Sequence, residues 1–401
     1  MDDRLTQSIY HLAFSRPKDG HPEIAYANAE KAGDRLRSEI LNLINEEHDF
    51  KELMAGYQVV GASRNLVSSE IIAAWMSSCV QKNYGRDFAA DLLNYLQNES
   101  FQAFGIVLLA GIEVEETINL GKFGSLTSIY QLPNKALQLS LSESLDENAL
   151  TPQYSAALVV PFKHPLLIGQ ARLGEQPKVA SDLLQILEDV VHCLALCSEG
   201  SIAVQRIATA IVAADEVPCF GPAVWEYHSF HVVSELSILS EEDVKNAVAL
   251  LTNLYHLDER QKNQIRLPLG KLHDFYSCNN ISEAAVLLRT TLESLFLDND
   301  SGELSHRLSI RAALLSGGGI EERLATYRII KKAYEHGSAA VHRGKISSKK
   351  PDEVRLVLDE AAALAKHAIK MYLSNPFDDW LTLELGGYFP SRHSRIEENR
   401  S

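Results

Sequence analysis

The chain has 401 residues, 46% hydrophobic and 23% charged, with a formal net charge of −15. That length accommodates two or three domains, and the composition is that of an ordinary globular protein. The acidic balance disfavours general polyanion binding, so any nucleic-acid site has to be a local basic patch. No run approaches the roughly 20 consecutive apolar residues of a membrane helix. The start, Met1-Asp2-Asp3-Arg4, lacks the apolar stretch of a secretory signal. The expectation is a cytoplasmic protein without membrane contact. Five cysteines, at 79, 193, 197, 219 and 278, are an odd number in a large chain. They fit buried thiols in a reducing compartment better than a disulfide framework.

The first part reads as mixed α and β. Helical periodicity runs from about Ala25 to Asn45 and from Ser69 to Leu96. Strand-like runs occur at Tyr57 to Val60, Phe104 to Leu109, Ser125 to Leu132 and Ala157 to Phe162, punctuated by Gly121, Gly124, Pro133 and Asn134. A small sheet packed by helices is expected over residues 1–175. Residues 176–239 read as a connecting segment with helices at Ser181 to Cys197 and Ile202 to Ala214, then an extended stretch from Ala223 to Val233. Cys193 and Cys197 lie one helical turn apart, but His192 points about 100° away from Cys193 and no second ligand pair accompanies them. They read as small apolar core residues. His228 and His231 fall on opposite faces of a strand and share no metal. No cofactor or metal is expected.

From Ser240 the pattern becomes continuously helical. Ser240 and Asp243 form a near capping box ahead of an apolar stripe through Val244, Ala247, Val248, Leu251 and Leu254. Pro268 suits a first helical position and suggests a second helix through Tyr276. Ser282 is placed to cap a third, with Ala285, Leu288, Leu292 and Leu295 inward. A fourth covers Glu303 to Leu315 and stops at Gly317-Gly318-Gly319. The fifth runs from Glu321 towards His342, with Leu324, Tyr327, Ile330, Tyr334, Gly337 and Val341 on one face. The sixth runs from Pro351 to about Tyr372. Short connections make neighbours antiparallel, so residues 240–375 are expected to form an all-α antiparallel bundle after the α+β region. The tail, 376–401, carries Trp380 and Tyr388, then turns polar; its first part is expected to dock.

No Walker loop, His-Glu-x-x-His or Gly-x-Ser-x-Gly motif is present. One constellation stands out. Residues 301–350 hold ten basic side chains against four acidic ones, in a chain of net charge −15. Such a run is either a solvated helix face or a phosphate-tracking surface. His342 ends the fifth helix, and Lys331, Glu335, Ser338 and His342 share a flanking face. A histidine there can move a proton near neutral pH.

The segment Ala284 to Leu297, the segment Glu303 to Ala313, and Tyr334 to Gly344 with its Val341-His342 together resemble the bacterial HEPN domains of the Apea-like type. The likeness covers about residues 240 to 373. It implies a bundle that forms a homodimer and brings together two copies of an Arg-x4-6-His motif. In active members the pair cleaves RNA without metal, with histidine handling the proton and arginine the phosphate charge; many members are toxins or act in anti-phage defence. The resemblance marks His342 as the catalytic candidate; the local basic patch offers Arg343, Lys345, Lys331 and Lys332 as RNA contacts, and residues 1–175 are expected to sense some trigger. The chain departs from the motif: the positions five, six and seven before His342 are Gly337, His336 and Glu335. Losing the arginine costs about 10²–10³ in rate at such sites. The expectation is an RNA-associated, HEPN-like protein, an endoribonuclease if another arginine serves, with an inactive dimerising module as the alternative. Arg307 and Arg311 are expected to brace the bundle against carboxylates such as Glu293.

Overall fold

The computed structural model describes residues 57–60, 63–66, 100–132, 154–165, 168–169, 178–198, 205–213, 226–227, 237–297, 302–346, 350–376 and 384–385, with single positions among 38–45 and 69–74 and residue 380. The helical readings over 25–45 and 69–96 lie mostly outside these residues, as do Pro133, Asn134, Tyr388 and the two histidines 228 and 231.

The N-terminal part is built on an antiparallel sheet. The strands among the described residues are β1 (Tyr57–Val60), β2 (Ser63–Leu66), β3 (Ser100–Ala110), β4 (Ile112–Glu113), β5 (Ile118–Asn119), β6 (Ser125–Ser128), β7 (Tyr154–Pro165), β8 (Ile168–Gly169), β9 (Gln205–Ala213), β10 (Glu226–Tyr227) and β11 (Ser237–Ile238), divided among three sheets. The main sheet has the order β10-β9-β3-β7-β6-β5, of which the four inner strands are more than a dipeptide long. A second small sheet orders β2-β1-β8, and β11 lies parallel to β4. The central strand β3 is buried continuously from Ile106 to Ala110, as expected of a strand covered on both faces.

The helical reading over 202–214 is corrected: residues 205–213 are β9, antiparallel to β3 from Ala103↔Ala213 to Ala110↔Gln205 with a register shift between Leu108 and Leu109. Ile207, Thr209 and Ile211 place β-branched residues at alternate positions, which suits a pleated strand. A short, largely apolar stretch of this kind cannot be told from a helix by periodicity alone.

Helix α1 (Lys178–Cys197) packs on β3 and β7 on one side and on two bundle helices on the other. Gly105 of β3 makes the first contact possible, since a Cβ there would meet the Leu183 side chain at 2.7 Å. The bundle follows as α2 (Glu241–His256), α3 (Glu259–Tyr276), α4 (Ile281–Phe296), α5 (Leu304–Ser316), α6 (Ile320–Arg343) and α7 (Pro351–Ser374). The Ser240–Asp243 capping box forms in full at the start of α2. Two starts differ from the sequence reading. Asp258, not Pro268, opens α3 by accepting from the Gln261 backbone, and Pro268 is buried within the helix. Packing of Ile265, Leu269, Leu272 and Phe275 outweighs the roughly 3 kcal/mol an interior proline costs. Asn280, not Ser282, caps α4. Trp380 docks as expected, 5.7 Å from the Phe296 ring and under the Arg311 guanidinium.

The joint between sheet and bundle carries a buried ion pair. Arg266 of α3 grips the fully buried carboxylate of Asp189 on α1 through Nε at 3.1 Å and Nη2 at 2.8 Å, and Gln185 adds a third hydrogen bond at 3.1 Å. Burial pushes the Asp189 carboxyl above its ordinary value of 3.8, and Arg266 pulls it back. The same carboxylate helps burial push the Tyr255 phenol well up. A carboxyl whose folded value is raised binds its proton more tightly in the folded state, so its contribution to stability falls as pH rises through that window. We expect Asp189→Ala, which strands Arg266, to lose about 3–5 kcal/mol in urea unfolding at pH 7. We also expect the stability of wild type relative to Asp189→Asn to fall as pH rises from 3.8 through the raised value. A loss under 1 kcal/mol, or a difference that grows with pH, contradicts this account of the joint.

Candidate nucleic-acid interface

Helix α6 begins where the Gly319 N–H donates to Glu322 Oε2 at 2.7 Å, and ends at Gly344, whose φ of +69° is the left-handed conformation glycine adopts freely. Its buried residues are Thr326, Ile330, Ala333, Tyr334, Gly337 and Ala340. This stripe is rotated from the expected one: Leu324 is 37% and Val341 50% exposed.

The rotation turns the cations outward. Arg328, Lys331, Lys332, His342, Arg343 and Lys345 are all exposed. At 3.6 residues per turn, Lys331 and His342 lie within about 20° of each other around the helix and about 16 Å apart along it. His342, Arg343 and Lys345 cluster at the C-terminal end, where the helix dipole also favours cations. Among the described residues, none of these six side chains has a carboxylate partner. The arginines that pack the bundle are paired instead. Arg289 holds Glu293 at 2.9 Å, Arg311 holds Glu384 at 2.6 Å and Arg355 holds Asp359 at 2.9 Å. The expected brace between Arg311 and Glu293 is therefore replaced: Arg311 takes Glu384 and the Phe296 carbonyl, and Glu293 takes Arg289 and the Tyr334 hydroxyl.

The positions where the motif arginine would stand are occupied otherwise. Gly337 lies at the contact between α6 and α4, where a Cβ would meet Arg289 Cβ at 2.6 Å and the Ala285 carbonyl oxygen at 2.7 Å. The second of these is backbone and cannot give way without separating the helices. His336 is half-buried, its Nε2 has no hydrogen-bond partner among the described residues, and burial and Lys332 push its pKa down. It is therefore neutral at pH 7 and offers no cation. Glu335 is exposed.

Two arrangements were not anticipated from sequence. A cleft of about 930 Å³ opens between α1, α3 and the start of α4, with His192 and His273 rings 5.2 Å apart on its wall and Arg266 at its side. Among the described residues, no three His, Cys, Asp or Glu side chains are placed to hold a metal ion. The second arrangement joins α5 to α6: His306 Nδ1 lies 2.9 Å from the Tyr327 hydroxyl. The 21-residue spacing hides this pair in the sequence; the short Gly317–Gly319 turn implies that α5 folds back along α6 but not the register that pairs these two residues.

Gly337→Ala is expected to cost about 1–3 kcal/mol through overpacking. Gly337→Arg, which would rebuild the motif, is expected to unfold the bundle rather than to create activity. Thermal melts followed by circular dichroism check both, and a Gly337→Arg protein as stable as wild type contradicts the geometry. Comparison with known family models, curated proteins and solved structures found no match to this chain.

Proposed function

We propose that the bundle is an RNA-associated module of HEPN-like type that binds RNA phosphates along the exposed face of α6. The observation that carries this reading is the group of cations without carboxylate partners among the described residues, from Arg328 to Arg343 on α6 and Lys345 just past its end, in an acidic protein. Unpaired surface cations repel one another and add nothing to the packing of the bundle, whereas a phosphate backbone neutralises them and releases its counterions. His342 stands at the end of this face, exposed and without a hydrogen bond among the described residues. It is open to an anion there, but the place five residues earlier, where the motif puts an arginine, is filled by close packing at Gly337, which leaves Arg343 as its neighbouring arginine.

The pair of changes Lys331→Glu and Lys332→Glu tests this with fluorescently labelled single-stranded RNA in a gel-shift titration. The reading predicts binding at low salt that weakens about tenfold or more in the double variant, with an unchanged melting temperature, and falls steeply with added salt in wild type. No shift at any protein concentration, with a dimer in sedimentation, would favour the dimerising module without RNA binding.

A further inference from the structure

The cleft between α1, α3 and the start of α4 shares no residue with the cations of α6. At about 930 Å³ it is large enough for a small organic molecule. Its floor is the middle of α3, where Gly270 interrupts an 18-residue helix. Glycine is the poorest helix former after proline, so its presence there needs a reason. Gly105 and Gly337 are required by close packing, each with a neighbour within 2.7 Å of the place a Cβ would take. At Gly270 the nearest atom to that place is His192 Cε1 at 3.7 Å, an ordinary contact. Packing therefore does not require this glycine. Its effect is to leave the α3 backbone bare at the floor of the cleft.

The chemistry of the walls selects the occupant. Lys271 is set against Asp274 at 2.9 Å, and Arg266 against the buried Asp189 at 2.8 Å. Glu188 of α1 and Glu283 of α4 stand on the two helices that flank α3, so the lining is net negative unless both imidazoles carry a proton. Glu283 is exposed and has no cation partner among the described residues. The last turn of α3, with Asp274 and Ser277, adds the negative end of a helix dipole. Ser277 keeps a hydroxyl shielded from solvent and without a hydrogen-bond partner among the described residues, an acceptor in want of a donor. The start of α4 does not call for an anion, because Asn280 Oδ1 already accepts from the Ser282 and Glu283 N–H groups at 2.9 and 3.2 Å. Between these polar groups Leu267, 49% exposed, and Leu287 present apolar surface.

Among the described residues no three side chains form a ligand set for a bare metal ion. Carboxylates spread over three helices, with apolar surface and an open backbone between them, instead match a chain in which ammonium groups alternate with methylenes. We propose that this cleft binds an aliphatic polyamine. Its ammonium groups are set against Glu188, Asp274 and Glu283, and its methylene segments lie over Gly270 and along Leu267 and Leu287. An occupant of this kind ties α1 to α3 and α4 across the joint between sheet and bundle, so it stabilises the folded chain by mass action. The proposal does not depend on the reading of α6 as an RNA-binding face.

The test is calorimetric titration of the full-length protein with spermidine at about 0.15 M salt, where exposed charges are screened, with magnesium chloride at equal ionic strength as the control. Wild type is expected to bind one equivalent of spermidine at least about tenfold more tightly than magnesium, and to melt at a higher temperature with spermidine present. Gly270→Leu fills the floor of the cleft and is expected to weaken spermidine at least about tenfold. Without spermidine this variant is expected to melt no lower than wild type, because leucine is the better helix former and the site has room for its Cβ. Glu283→Gln, an exposed change that leaves the fold alone, is expected to weaken spermidine about threefold. Spermidine binding no tighter than magnesium is a counterion effect on an acidic protein only, and overturns the proposal. So does a folded Gly270→Leu protein that binds spermidine within twofold of wild type. If Gly270→Leu does not fold, Glu283→Gln decides, and unchanged affinity in that variant overturns the proposal.

Discussion

The contact of α4 with α6 at Gly337 sets most of what the bundle presents to solvent. Only a residue without a Cβ lets the Ala285 carbonyl and the Arg289 side chain lie against α6 at that distance. Arg289, Glu293 and Tyr334 then close over the contact, the guanidinium lying 5.2 Å from the Tyr334 ring and the carboxylate accepting from both. With α6 held in this rotation, Ile330, Ala333 and Ala340 face the core and the cations face out. The same close approach removes the place of the motif arginine. One packing constraint therefore both builds the basic face and separates this chain from the two-residue motif it resembles.

A contrast between buried and exposed charge runs through the molecule. Two of the most deeply buried charges are matched. Asp189 is fully covered and grips Arg266 between α1 and α3, and Arg311 is 4% exposed and holds Glu384 and a backbone carbonyl. Removing a partner from such a pair leaves a charge out of water, so these pairs fix how α1 seats on the bundle and how the tail closes over α5. On α6 the cations are solvated and unmatched. Packing has no use for them in that state, which is why their function is sought in an external anion rather than in stability.

Much of the fold is legible in the residues. Ser240 and Asp243 announce the start of α2, Gly317 and Gly319 the turn between α5 and α6, and Pro351 with Asp352 and Glu353 the first turn of α7. The failures have definite causes. Local propensity makes Pro268 a boundary, but a buried stripe carries α3 through it. Residues 205–213 pass for a helix until β3 is there to pair with them. The stripe of α6 is displaced because Val341 lies at the helix end, where the core has run out, and Leu324 stands beyond its edge. As for the site, the exposed cations were visible as a local excess of charge. The pairing of His306 with Tyr327 was not, because it depends on the register of two antiparallel helices, and register is set by packing rather than by any motif.

The central claim is that RNA lies along α6, and ultraviolet cross-linking locates it most directly. Full-length protein is irradiated with uridine-rich single-stranded RNA, digested, and the cross-linked peptides are identified by mass spectrometry. The account predicts adducts within residues 323–345, with Tyr327 prominent because its ring lies on the ridge between Arg323 and Lys331. Adducts confined to the sheet strands or to the cleft beside His192 and His273, with none on α6, would contradict it.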